Sequence, residues 1–197
     1  AVGMGHAWFY WGPSAFNPLL YGEARSPKHL SLLRFLDSVT ENLSIERYVD
    51  FLIDTNALFV VAVASLVPLW GWLTRQGWEV TCLVGILAVF LTYKVGHPQF
   101  YVSWIAVHVW ILVASNDERA LAVARALIPV AVFLSLYQLL YLLSKLLTGA
   151  YFEGDLVWFR VFGSVVLGAL FLWSLSRGWR ALGRTNGTNE APIRIRL

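Results

Sequence analysis

The run Ala57-Leu58-Phe59-Val60-Val61-Ala62-Val63-Ala64-Ser65-Leu66-Val67-Pro68-Leu69-Trp70-Gly71-Trp72-Leu73 holds no charged residue from end to end. A bilayer core about 30 Å thick takes about 20 mostly apolar residues as helix. The run nearly fills that length and ends in tryptophans, which suit the water interface. Its backbone polar groups cannot stay unpaired in lipid, so helix is the form it must take. Outward from it, four more apolar stretches qualify, at 78–93, 99–114, 126–143 and 156–175. The second and third of the five spans are short. The predicted fold class is all-α: a polytopic transmembrane bundle of about five spans, with an interfacial amphipathic helix before the first.

Composition supports that class. The 197 residues are 58% hydrophobic and 14% charged, too little charge to cover a water-soluble domain of this size. Ten tryptophans, eight tyrosines and twelve phenylalanines fit two aromatic belts. The single cysteine, Cys82, excludes an internal disulfide and a Cys-rich metal site; it lies in an apolar run and reads as packing. There is no internal repeat, no phosphate-binding glycine loop, no nucleophile elbow and no zinc-ligand spacing. Nothing points to nucleic acid.

Three regions follow: 1–56 as an extracytoplasmic loop with the interfacial helix, 57–176 as the bundle, and 177–197 as a flexible basic tail. Residues 1–11 are apolar and aromatic without a charged start or cleavage signal, and are expected to end a truncated span of a longer protein. Gly12-Pro13-Ser14 and Asn17-Pro18 mark turns. Ser26-Pro27 reads as cap and first position of a helix over 28–39. There Leu32, Leu33, Leu36 and Val39 gather on one side, and Ser31, Arg34, Asp37 and Ser38 on the other. Residues 45–54 suit a second short helix.

Orientation rests on Lys and Arg. Five spans put Arg75, Arg119, Arg125 and the tail arginines on one face, expected to be cytoplasmic. On the other face Arg25, Lys28, Arg34 and Arg47 are mixed with six carboxylates, from Glu23 to Asp54. That face also takes the 94–98 and 148–155 loops.

Two segments of that face have the chemistry to hold an anion. In Tyr21-Gly22-Glu23-Ala24-Arg25-Ser26-Pro27-Lys28-His29, the residues Arg25, Lys28 and His29 sit at a predicted helix N-terminus. The alternative is a basic interfacial helix meeting lipid headgroups. In Lys94-Val95-Gly96-His97-Pro98-Gln99-Phe100-Tyr101, Gly96 ends one span and Pro98 opens the next, so Lys94, His97 and Gln99 crowd a tight reversal. Here the alternative is a Lys94 that snorkels and a His97 that only caps. A third loop brings Glu153 and Asp155, which bind sugar hydroxyls or a cation unless they are simply solvated. Within the spans, His108 reads as an interhelical hydrogen-bonder.

The segment 19–30 resembles the loop and amphipathic helix of C-type glycosyltransferases. The run Thr92-Tyr93-Lys94-Val95-Gly96-His97-Pro98-Gln99-Phe100-Tyr101-Val102-Ser103-Trp104 is the sharper match. It is similar to a Lys-Val-x-x-x-Gln-[Tyr/Phe]-x-x-Trp pattern between two late spans of these enzymes, with Trp104 one residue further on than the pattern has it. GPI-anchor mannosyltransferases and related prokaryotic enzymes show it. The resemblance covers 21–104. It implies transfer of a sugar, mannose among the candidates, from a polyprenyl-phosphate donor to an extracytoplasmic glycan, lipid or protein acceptor.

For such a donor, the two basic helix N-termini on one face are expected to hold its phosphate through Lys94, His97, Arg25, Lys28 and His29, with Gln99 orienting a neighbour, while Glu23, Glu153 and Asp155 are weaker candidates for the sugar or acceptor. The family's catalytic carboxylate usually lies in an early extracytoplasmic loop with no counterpart here, which fits a C-terminal portion. No cofactor is evident, and a divalent metal at the donor stays open. The implied site is the plasma membrane of a prokaryote or the endoplasmic reticulum of a eukaryote, with the tail cytoplasmic. The rival readings are a transporter, a scramblase or a structural subunit. A transporter should show Gly/Pro-broken spans and paired intramembrane charges.

Overall fold

The structure, a computed structural model, describes residues 28–41, 43–150, 152 and 157–188. Among these residues eight helices follow in order. They are α1 (Leu32–Thr40), α2 (Glu46–Asp54), α3 (Asn56–Leu73), α4 (Trp78–Thr92), α5 (Tyr101–Ala114), α6 (Glu118–Ala126), α7 (Ile128–Thr148) and α8 (Val157–Thr188). Two short extended pieces, β1 (Lys28–His29) and β2 (Val95–Gly96), pair in parallel.

Among the described residues, three helices are long and apolar enough to cross a membrane: Asn56–Leu73, Ile128–Thr148 and the Val157–Arg180 part of α8. α3 is apolar on every side, yet only 11% of it is buried. Leu58, Val61, Leu66 and Trp72 point outward, a surface that water does not tolerate and lipid does. The second and third of the five expected spans are short, as read from the sequence. α4 and α5, at 15 and 14 residues, reach about 22 and 21 Å as helix, short of the bilayer core.

The turn after α3 is a Schellman motif. Gln76 N–H reaches Gly71 O at 2.8 Å, Arg75 N–H reaches Trp72 O at 3.2 Å, and Arg75 takes the left-handed conformation (φ 53°). α4 then runs back along α3, with Gly71 against Thr81 and Asn56 beside Thr92. The core between α4, α5, α7 and α8 is built on Leu83, Leu87, Trp104, Ile111, Leu134 and Leu167. Trp104 Nε1 donates to Leu83 O at 2.9 Å.

Three expected boundaries move. The helix predicted over 28–39 starts at Leu32, because Ser31 is the residue whose hydroxyl accepts an N–H, from Leu33 at 3.2 Å. Lys28 and His29 are extended instead. The link from α5 to α7 is a helix, α6, capped by Asp117, which accepts from Arg119 N–H at 2.8 Å. The fourth span, expected from 126, therefore starts at Ile128. α7 restarts with Pro129 in its first turn, where a missing N–H costs least. The last span was expected to stop at residue 175. Instead α8 continues to Thr188, since no proline interrupts it and Arg180 clasps the preceding turn through Ser176.

The helix directions define two ends. One gathers β1, the α2–α3 junction, the α4–α5 break and the C-terminus of α7 with the start of α8. The other gathers the α3–α4 turn, α6 and the 173–180 turns of α8. α1 packs against α8 through Phe35 on Phe162 (5.8 Å between rings) and Leu32 beside Gly168.

Candidate functional site

The break between α4 and α5 carries a polar network at the first end. α4 stops at Thr92, and Lys94 lies beyond the helix rather than in its last turn, a correction to the sequence reading. The stop is enforced from outside. Asn56, buried at the head of α3, donates Nδ2–H to Thr92 O at 2.7 Å and accepts the Lys94 N–H at 2.8 Å. Its carboxamide takes the place of the backbone partners that the next turn of helix would have supplied.

Freed from the helix, Val95 and Gly96 are extended. Gly96 was expected to cap a span; it belongs to β2. Lys28 is opposite Val95 and His29 opposite Gly96, and Leu30 N–H continues the ladder to Gly96 O at 3.0 Å. Tyr101 Oη–H donates to Leu30 O at 3.1 Å, so Leu30 is held at both of its backbone polar groups. The two segments singled out in the sequence are thus adjacent strands. No local periodicity reports such a pairing.

Lys94 is 2% exposed, so it does not snorkel. Its ammonium donates to Ile53 O at 3.2 Å, at the C-terminal end of α2, where the helix dipole is negative. A buried ammonium left without such partners costs several kcal/mol, so the α2 terminus helps to hold a cation here. His97 precedes the 3₁₀ turn Pro98–Phe100 and is half-buried, its ring edge-on to Phe100 at 5.9 Å. Gln99, in that turn, is exposed. Glu23, Arg25, Glu153 and Asp155 lie outside the described residues, and Lys28 and His29 are placed by backbone alone.

The third loop is anchored at Phe152. Its N–H donates to Ser144 Oγ at 2.8 Å, and its ring lies against Tyr137, Tyr141 and Phe159. Tyr137 also meets Gly163, where a Cβ would stand 2.6 Å from the Tyr137 ring and 3.0 Å from a Leu30 methyl. Leu30, Tyr137 and Phe152 therefore join all three loops at one end of the bundle. Beside them, Phe133, Tyr137, Trp158, Phe159 and Phe162 line an apolar groove of about 240 Å³ between α7 and α8.

Elsewhere, His108 is buried, stacks on Trp104 (5.1 Å) and bonds Ala124 O through Nε2 at 2.7 Å. It ties α5 to α6, the interhelical role read from the sequence. A carbonyl only accepts, so Nε2 carries the proton. At the second end Ser115 Oγ–H donates to Glu79 Oε2. Pro68 lies within the continuous helix α3.

The residues that sequence reasoning missed are Asn56 and Tyr101 as clamps. Asn56 was detectable in principle, as a lone amide directly ahead of an uncharged run. No family model matches the sequence, and neither a curated protein nor a solved structure matches it.

Proposed function

We propose that this chain is the phosphate-gripping portion of a polyprenyl-phosphate-sugar-dependent glycosyltransferase. The observation that carries the reading is the parallel pairing of Lys28–His29 with Val95–Gly96, directly beside Lys94. It joins the two segments on which the family resemblance rests, although nothing local in the sequence links them.

In this reading the lipid phosphate lies at the paired strands. Lys28, His29, His97 and Gln99, with Arg25, are its polar neighbours. Lys94 acts from beneath as a fixed positive charge held by the α2 terminus. As the sugar leaves, negative charge grows on the phosphate, and a fixed cation favours that state over the ground state. The aromatic groove between α7 and α8 gives the isoprenoid tail an apolar wall next to Leu30. α4 and α5 complete the five membrane-crossing segments, their shortness matched by local thinning of the bilayer over the donor site. The face with Arg75, Arg119, Arg125 and Arg177 is cytoplasmic.

The test is binding, in phosphatidylcholine nanodiscs, of a polyprenyl phosphate against the matching polyprenol. The phosphate form should bind at least about tenfold more tightly, and Lys28→Gln and Lys94→Met should each erase most of that margin. Equal binding of the two lipids, or a margin untouched by both substitutions, defeats the proposal and leaves the non-enzymatic readings.

A further inference from the structure

At the end opposite the paired strands, α6, α7 and α8 enclose a cleft of about 440 Å³ whose polar lining is two guanidinium groups, Arg125 and Arg177. Arg125 stands in the last turn of α6. Arg177 lies one helical turn beyond Trp173 and its guanidinium sits over that indole, 4.7 Å from the ring centre. No carboxylate lies within ion-pair distance of either one among the described residues, and the cleft lining has none. By contrast Arg34, at the other end, is matched to Asp37 at 3.0 Å.

The cleft exists because α6 and α8 approach closely at a glycine. A Cβ on Gly178 would stand 3.3 Å from the Ala126 Cβ, so Gly178 brings Arg177 to the side of α6 that carries Arg125. Pro129, in the first turn of α7, forms the floor. Along α7 from Pro129, Val132 and Leu136 are exposed and apolar, a surface suited to lipid tails.

We propose that this cleft binds one anionic membrane phospholipid. Its phosphodiester is forked between Arg125 and Arg177, and its acyl chains run down the outer faces of α7 and α8. Guanidinium groups suit a phosphodiester because their planar N–H pairs match two of its oxygens. Stacking on Trp173 fixes the Arg177 plane, which reduces the ordering cost of binding. Two guanidinium groups with no carboxylate partner among the described residues, next to exposed apolar residues of α7, favour a headgroup over a soluble anion. The site is remote from the paired strands and does not depend on the reading proposed for them.

The test titrates phosphatidylglycerol into full-length protein in phosphatidylcholine nanodiscs and counts bound lipid by native mass spectrometry. Arg125→Gln and Arg177→Gln should each weaken binding about tenfold, with Arg125→Lys and Arg177→Lys intermediate because they keep charge but lose the fork. Arg75→Gln, at the same end but outside the cleft, should leave the saturable site intact. Circular dichroism of every variant confirms retained helix. Equal losses in Arg75→Gln and the cleft variants would reduce the effect to general surface charge and overturn the site. Competition by millimolar inorganic phosphate as effective as the lipid would overturn the lipid assignment.

Discussion

The side-chain carbonyl of Asn56 accepts the backbone N–H of Lys94 at 2.8 Å, while the amide of the same side chain donates to Thr92 O at 2.7 Å. One residue at the head of α3 thereby ends α4 and turns the chain into the strand that meets Lys28 and His29. The site is built on this junction, so its integrity governs the local geometry more than any basic residue does.

Asn56→Leu should destabilise the protein by about 2–4 kcal/mol, because two buried backbone groups lose their partners at once. Asn56→Asp should be nearly as damaging. A carboxylate can still accept from Lys94 N–H but opposes the Thr92 carbonyl with a second acceptor. Thermal unfolding in detergent, followed by far-ultraviolet circular dichroism, reads both, and the two melting temperatures should fall together.

How much of this was legible follows from range. The α3 run and the α7 and α8 cores speak through composition alone, so they are found in place. The stop at Thr92 is set by a residue 36 positions upstream, and the Lys28–Val95 pairing by a longer separation still. Two-residue strands carry no alternation that a pattern could show. α6 was readable and was passed over: Asp117 before Glu118 is a capping signal, and Arg125 is a last-turn basic residue. It was masked by the apolar stretch that begins at Leu127. Arg125 and Arg177 entered the sequence reading as orientation markers, and only their convergence on one cleft suggests a ligand.

Lys94→Met should leave the helical content unchanged and alter stability by no more than about 2 kcal/mol in either direction. It removes a bond to Ile53 O but also removes a buried charge, and replacing buried ions by apolar groups of similar volume is often neutral. The discriminating partner is Lys94→Glu, which sets a negative charge against the α2 terminus. It should cost more than about 3 kcal/mol and show as a large fall in melting temperature.

Arg75→Gly should stabilise the α3–α4 turn by up to about 1 kcal/mol. Arg75 holds φ at 53°, a conformation that costs a residue with a Cβ about 1 kcal/mol and glycine almost nothing. Both Schellman bonds use backbone atoms and survive the change. A raised melting temperature with unchanged phosphatidylglycerol binding would separate this turn from the nearby arginine cleft.

Gly163→Leu should split the first end of the bundle. A Cβ at 163 would already stand 2.6 Å from the Tyr137 ring, and that ring cannot swing clear. Its hydroxyl donates to Phe159 O at 3.0 Å, and Phe152 packs edge-on against it at 5.2 Å. The Leu30 methyl on the other side is tethered by Gly96 O and by the Tyr101 hydroxyl. Leucine therefore forces α8 away from α7 and pulls Leu30 off the ladder. The expected cost is about 2–3 kcal/mol, with Gly163→Ala near 1. Hydrogen exchange gives the decisive readout. The Leu30 amide should lose protection in Gly163→Leu while amides in the middle of α5 keep theirs. Uniform loss along all the helices would instead mean that Gly163 supports the whole bundle, not the junction of its loops.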